Sequence, residues 1–218
     1  ALATTMELFR VAFASAPLGM ILTDPQLRPL QVNPALCAML GRSEAELLAT
    51  DVWEWTHPDD RTANRELVSR ALAGDVSSYE LETRCLHRDG HVVWARTRGE
   101  LIRNADGTPQ YFVSQIEDVT ERRAAESALA ASEERFRVAF EDAAIGMAIV
   151  RPDLSIVRVN RATCAILGYS EEELLDTTFL DITHPEDRAA NVELVERALA
   201  GAFSSFEMEK RYFRKNGE

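Results

Sequence analysis

The sequence predicts an α+β fold made twice, each copy a five-stranded antiparallel sheet covered on one face by short helices. Three observations carry this. First, the chain repeats itself at an offset of 127 residues without a gap, and 44 of the 83 aligned positions (9–91 against 136–218) are identical. A period this long duplicates a whole domain rather than a short solenoid repeat. Second, the apolar spacing is helical in the long helix that ends at Gly74 and changes to a period of two thereafter. Third, the order of segments is two strands, several short helices and a three-strand meander, which places the helices on one side of an antiparallel sheet.

Leu2 to Ala14 reads as an amphipathic helix with Leu8, Val11 and Ala12 on one side. Gly19 to Thr23 is a buried strand, Asp24-Pro25 a turn, and Leu27 to Val32 a second strand. Asn33 caps a helix over 34–40, with Pro34 at its first position and Gly41 as its stop. Ser43 and Glu46 form a capping box, repeated by Ser170 and Glu173, and a short helix through Leu48 follows. His57-Pro58 opens the longest helix of the unit, with Asp59 and Asp60 at its positive end and Gly74 at its close. Strands then run over 77–87, 91–101 and 110–117, joined at Asp89-Gly90 and at Asn104 to Gly107. Residues 92–118 have no counterpart in the second copy, so that domain is expected to be truncated before its last two strands. The expected division is a first domain at 1–120, a helical connector at 121–135 and an incomplete second domain at 136–218.

The formal net charge of −12 repels phosphate backbones, so no nucleic-acid partner is expected. Cys37, Cys85 and Cys164 form no CxxC pair, and an odd count argues for a reducing, cytoplasmic setting. No apolar run reaches the roughly 18–20 residues of a membrane span, so this segment is not expected to insert. There is no nucleophile elbow, phosphate-cradling Gly loop or metal-spaced cluster, so no catalytic residue and no metal ligand is expected.

Several short motifs together carry a resemblance. They are Val32-Asn33-Pro34-Ala35, Leu40-Gly41-Arg42-Ser43, His57-Pro58-Asp59-Asp60-Arg61, Glu82-Thr83-Arg84, Arg88-Asp89-Gly90, Trp94 and Asp118-Val119-Thr120-Glu121-Arg122. The second copy repeats most of them, as at Val159-Asn160, His184-Pro185 and Lys215-Asn216-Gly217. The pattern resembles the PAS superfamily, of the S-box type with a PAC segment, over nearly the whole chain. That implies a cavity between sheet and helices and a sensory module of a bacterial signalling protein. It also implies a homodimer, and an effector of the histidine kinase, diguanylate cyclase or phosphodiesterase type.

Against that family pattern, Cys37, Trp53, Trp55, Ser114 and Ile116 are the candidate pocket residues. The second copy carries Leu180 and Ile182 where the first has Trp53 and Trp55, so the two cavities should differ in shape. The cofactor is left unknown. A flavin adduct is disfavoured, because Val52 and Phe179 stand where light-sensing members carry a reactive Cys, and Ile116 where they carry a Gln. Haem is disfavoured too, since a cap in front of Pro accounts for His57 and His184. Asp118 and Thr120 are candidate relay residues, where the last strand meets the outgoing connector. The connector lacks Gly and Pro, and Arg122, Leu129 and Phe136 fall seven apart, a polar heptad that dimerisation could use. The expected function is a non-catalytic sensor of a small ligand or partner that relays through a helical linker. The rivals are a ligand-free interaction scaffold, a haem-based gas sensor, and a redox sensor at Cys37 or Cys164.

Overall fold

The structure, a computed structural model, describes residues 2–217, with side chains from residue 7. The chain forms two compact units, Ala1–Ser127 and Ala128–Glu218. In the first, α1 (Leu2–Ser15) leads into β1 (Gly19–Thr23) and β2 (Pro29–Val32). The helices α2 (Pro34–Leu40) and α3 (Glu44–Leu48), a 3₁₀ turn at Pro58–Asp60 and α4 (Arg61–Ala73) follow. The meander is β3 (Ser78–Leu86), β4 (Val92–Arg103) and β5 (Pro109–Asp118). The five strands are antiparallel, in the order β2-β1-β5-β4-β3.

Alternation along the strands sets the core. On β5, Phe112, Ser114 and Ile116 are buried while Gln115 is exposed. Of these, Ile116 joins Ile21 and Val32 of the neighbouring strands, Leu36 and Leu40 of α2, Leu47 of α3 and Trp55 in one apolar cluster. A second cluster joins Leu27, Ala71, Leu101 and Phe112. Gly99 faces Tyr79 across the β3–β4 ladder. A Cβ there would lie 2.3 Å from the ring, so the missing side chain makes room for Tyr79 on the inner face.

The expected stripe on the first helix is different in the structure. Phe13 is the buried residue, whereas Leu8 and Val11 are exposed. The end of α1 is anchored by the buried Asn33 amide, which donates to Phe13 O.

The second unit begins within α5 (Thr120–Glu141), the helix expected between the copies. It contains β6 (Ala148–Val150), β7 (Ile156–Val159), α6 (Arg161–Leu167), α7 (Glu171–Leu175) and α8 (Pro185–Leu199). Ile156, Val159, Leu167, Leu174 and Ile182 form its core. Its sheet has two strands, β6 and β7. Here one expectation needs correction: residues 204–214, the counterpart of β3, form no strand and keep one isolated bridge, Thr183 to Tyr212. The reason is visible in the first unit, where β3 is an edge strand whose ladder partner is β4. The second copy has no counterpart of β4 in this sequence, so the segment has no ladder to join. The single bridge matches the Thr56–Cys85 bridge of the first unit.

Candidate functional site

The inner face of the first sheet and the helices opposite enclose a cavity of about 80 Å³. Ile21, Thr23, Ser114, Ile116, Tyr79 and Thr83 line it from the strands; Val52, Trp53, Trp55 and Asn64 close it from the other side. Of the expected pocket residues, Trp53, Trp55, Ser114 and Ile116 therefore meet at one cavity. Cys37 does not line it. It is half-buried on the first cluster, because a helix turns about 100° per residue and α2 gives its inward side to Leu36 and Leu40. Thr23, Asn64, Tyr79 and Thr83 were not singled out from sequence. Their signal was present in the two-residue alternation of Tyr79, Leu81 and Thr83, but it becomes a site only once the strands pair.

Most polar groups of the wall already have partners. Asn64 Nδ2 donates to Thr83 Oγ1 at 2.9 Å, and Thr56 Oγ1 donates to Val52 O at 2.8 Å. Burial pushes the Tyr79 phenol up from its ordinary range, and the neighbouring Ser114 hydroxyl opposes this only in part. Of the four buried polar side-chain atoms without a partner among the described residues, two belong to cavity-lining residues: Thr23 Oγ1 and Trp55 Nε1. Leaving such a donor or acceptor unpaired costs about 1–3 kcal/mol.

The histidines act as caps. His57 Nδ1 accepts the amide of Asp59 at 3.3 Å, and His184 Nδ1 that of Glu186 at 3.4 Å. Asp60 does more than face a helix end. Its carboxylate grips Arg84 of β3 (Nη2 to Oδ1, 2.6 Å) and takes the Arg84 amide at 2.8 Å, and this guanidinium holds the Asp60 pKa below its usual value. Asp187 and Arg211 repeat the clasp, with Nη2 to Oδ1 at 2.8 Å. The cysteines are all free. Burial raises the pKa of Cys37 and Cys164, and lifts that of Cys85 to about 12, so thiolate is scarce at all three.

At the expected relay, the Asp118 carboxylate accepts the Thr120 amide at 2.8 Å. The cap is thus made by Asp118, while the Thr120 hydroxyl accepts the Trp94 amide of β4 at 2.9 Å. Val119 N donates to Trp94 O at 2.8 Å. The β4–β5 ladder therefore continues one step into the start of α5. Arg123 lies 3.9 Å over the Trp94 ring, and Arg122 and Arg123 both reach Glu82.

No metal-ligand cluster was expected, yet the β3–β4 turn gathers His87, Asp89 and His91, with ligand atoms all within 4.8 Å of one another. Among the described residues, no helix is long and apolar enough to cross a membrane.

A helix-covered antiparallel sheet with an internal cavity, its last strand running straight into an outgoing helix, defines a sensory module. The family model described as PAS fold matches residues 29–116 and 156–218, more than half of the chain. The chain belongs to the PAS family. A probable diguanylate cyclase of Escherichia coli (strain K12) is 37% identical over 139 residues, 64% of this chain and 13% of that protein. A sensor histidine kinase of Ectopseudomonas mendocina is 27% identical over 129 residues, 59% of this chain and 13% of that protein. The chain thus spans well under two thirds of the length of these relatives. The crystal structure of a PAS domain from Colwellia psychrerythraea aligns with a TM-score of 0.50 at 20% identity, covering 54% of this chain and 98% of that one. The chain is a PAS sensory signalling module, homologous to the sensor segments of such kinases and cyclases.

Proposed function

We propose that the first unit senses a small, mostly apolar molecule with one or two polar groups, and that the state of its cavity sets the start of α5. The unpartnered Thr23 Oγ1 and Trp55 Nε1 on the cavity wall carry this reading. Cavity occupancy acts on the sheet, Thr120 transmits it to α5, and the second unit relays it to an effector of histidine kinase, diguanylate cyclase or phosphodiesterase type in a longer parent protein. Bond-breaking chemistry is left to that effector.

The space favours a compact ligand over a flavin or haem. About 80 Å³ is well under the roughly 300–1,000 Å³ of pockets for drug-sized ligands. Val52 stands where a flavin-reactive Cys would be needed, and His57 caps a helix and is not among the residues that line the cavity. The exposed Leu8, Phe9 and Val11 of α1 support self-association into a homodimer, which also keeps a ligand-free scaffold as the second reading.

The test is native mass spectrometry of the purified chain for retained small molecules, followed by NMR titration with a set of small apolar alcohols, amides and acids. The expected result is a compound that shifts the Trp55 indole N–H and whose affinity falls at least about fivefold in Trp55→Phe, as loss of one hydrogen bond implies. If no compound perturbs that indole and both proteins dimerise alike, the scaffold reading replaces the sensor.

A further inference from the structure

The chain has four histidines, and two of them meet at the turn between β3 and β4. The Asp89 Oδ1 atom lies 2.9 Å from His87 Nδ1 and 2.6 Å from His91 Nδ1. The two imidazole rings stack with centroids 4.2 Å apart. We propose that this turn is a binding site for one divalent transition-metal cation, zinc above all, held by His87, Asp89 and His91.

Three features favour the site. The donors are two imidazoles and one carboxylate, a set that suits zinc, copper or nickel and not magnesium or calcium. Tetrahedral zinc with bonds of about 2.0–2.1 Å sets its ligand atoms roughly 3.3 Å apart, so Asp89 Oδ1 separates from each His Nδ1 by less than about 1 Å, while the stacked rings turn to face one cation and His87 Nδ1 gives up the Asp89 amide it accepts at 3.3 Å. The turn is largely solvent-exposed, which leaves room for that movement and for water as a fourth ligand.

The backbone holds the donors in place. His87 N donates to His91 O at 2.9 Å, and Gly90 N to His87 O at 3.0 Å, which closes the turn. The His87 ring lies against Gly41, which has a φ of +65° at the end of α2. A Cβ on Gly41 would come within 2.1 Å of His87 Nε2, so the bare glycine gives the ring its seat while Nδ1 meets Asp89. Arg88 N donates to Leu40 O at 3.0 Å and fixes the turn to the same helix end. A cation here would tie the three side chains of a turn already anchored to α2.

The second repeat supplies an internal control. It carries Arg214, Asn216 and Glu218 at the positions of His87, Asp89 and His91 and so lacks both imidazoles. One cation per chain follows.

Isothermal titration of the whole metal-free chain with zinc chloride tests the site. The expected result is a saturable one-to-one isotherm, weakened at least about tenfold in His91→Ala and in Asp89→Asn and unchanged in His184→Ala. Because His91 and Asp89 are exposed, both variants should fold, and circular dichroism checks that they do. In the native chain, the His87 and His91 ring resonances should move together on adding zinc, and excess magnesium should not reverse them. No saturable binding, or equal zinc affinity in the native chain and His91→Ala, overturns the proposal.

Discussion

A fully buried asparagine shows how much one side chain can organise. Asn33 donates to Phe13 O at 3.2 Å and Leu18 O at 2.8 Å, and accepts from Met20 N at 2.8 Å and Leu36 N at 3.0 Å. It therefore joins the end of α1, the start of β1 and the first turn of α2. Asn160 makes the same four-way connection in the second unit, to Phe140, Ile145, Met147 and Thr163. From sequence Asn33 is legible as a cap, because its place before Pro34 is local. The other bonds reach back 13 to 20 residues and have no local signature. Asn33→Ala should lower the stability of the first unit by about 2–4 kcal/mol, since it strands several buried groups at once. Urea denaturation followed through Trp fluorescence measures this, and a loss no larger than the ~1 kcal/mol of a simple cap would contradict the wider role. Leu27 is the converse case. It takes the left-handed conformation (φ 62°), as does Leu154 (φ 68°), which costs roughly 1–2 kcal/mol for a residue with a Cβ. Its side chain is buried with Ala71, Leu101 and Phe112, and Asp24 Oδ1 accepts the flanking Gln26 and Arg28 amides, which offsets the strain.

At the scale of elements, the join between β5 and α5 is where structure sharpens the sequence reading. Asp118 and Thr120 were marked from sequence as one joint, and the two side chains prove to do different things. Asp118 caps the helix, whereas Thr120 extends the sheet ladder to the Trp94 amide. A motion that separates β4 from β5 must therefore break a bond at the first residue of α5. Thr120→Val keeps the shape and removes that acceptor. The first turn of α5 should then open more readily, by about 1–2 kcal/mol. Amide hydrogen exchange would show this as lost protection at residues 120–124, with β1 and β2 unchanged. Uniform loss across the unit, or none, would show that Thr120 does not couple sheet to helix. The three stacked or paired contacts of Arg122 and Arg123 should keep the turn from melting outright.

For the molecule as a whole, the two repeats share sequence and differ in sheet. The difference is one of partners: residues 204–214 keep the residues of a strand but lack the strand that β4 provides in the first unit. Fusing a copy of residues 92–118 after residue 218 should convert the second unit to a five-stranded sheet. Circular dichroism should then gain strand signal, and residues 204–214 should acquire slow-exchanging amides; if they stay unprotected, the missing ladder is not the cause. What the sequence by itself determined was everything set by neighbours in the chain. The capping boxes, the helix stops and the alternation of the meander are all written within a few residues of where they act, and the duplication is read by laying the chain against itself. Only the tertiary structure decided what depends on residues far apart. It brought Trp55 and Thr23 to one cavity without giving their polar atoms partners, and turned Cys37 away from it. It seated His87 on Gly41, 46 positions earlier by their numbers, and buried Phe13 where the helix pattern favoured Leu8 and Val11. The reason is physical: propensity and capping are energies of adjacent residues, whereas a cavity wall or a ring's seat exists only after strand pairing has fixed which distant side chains share a face.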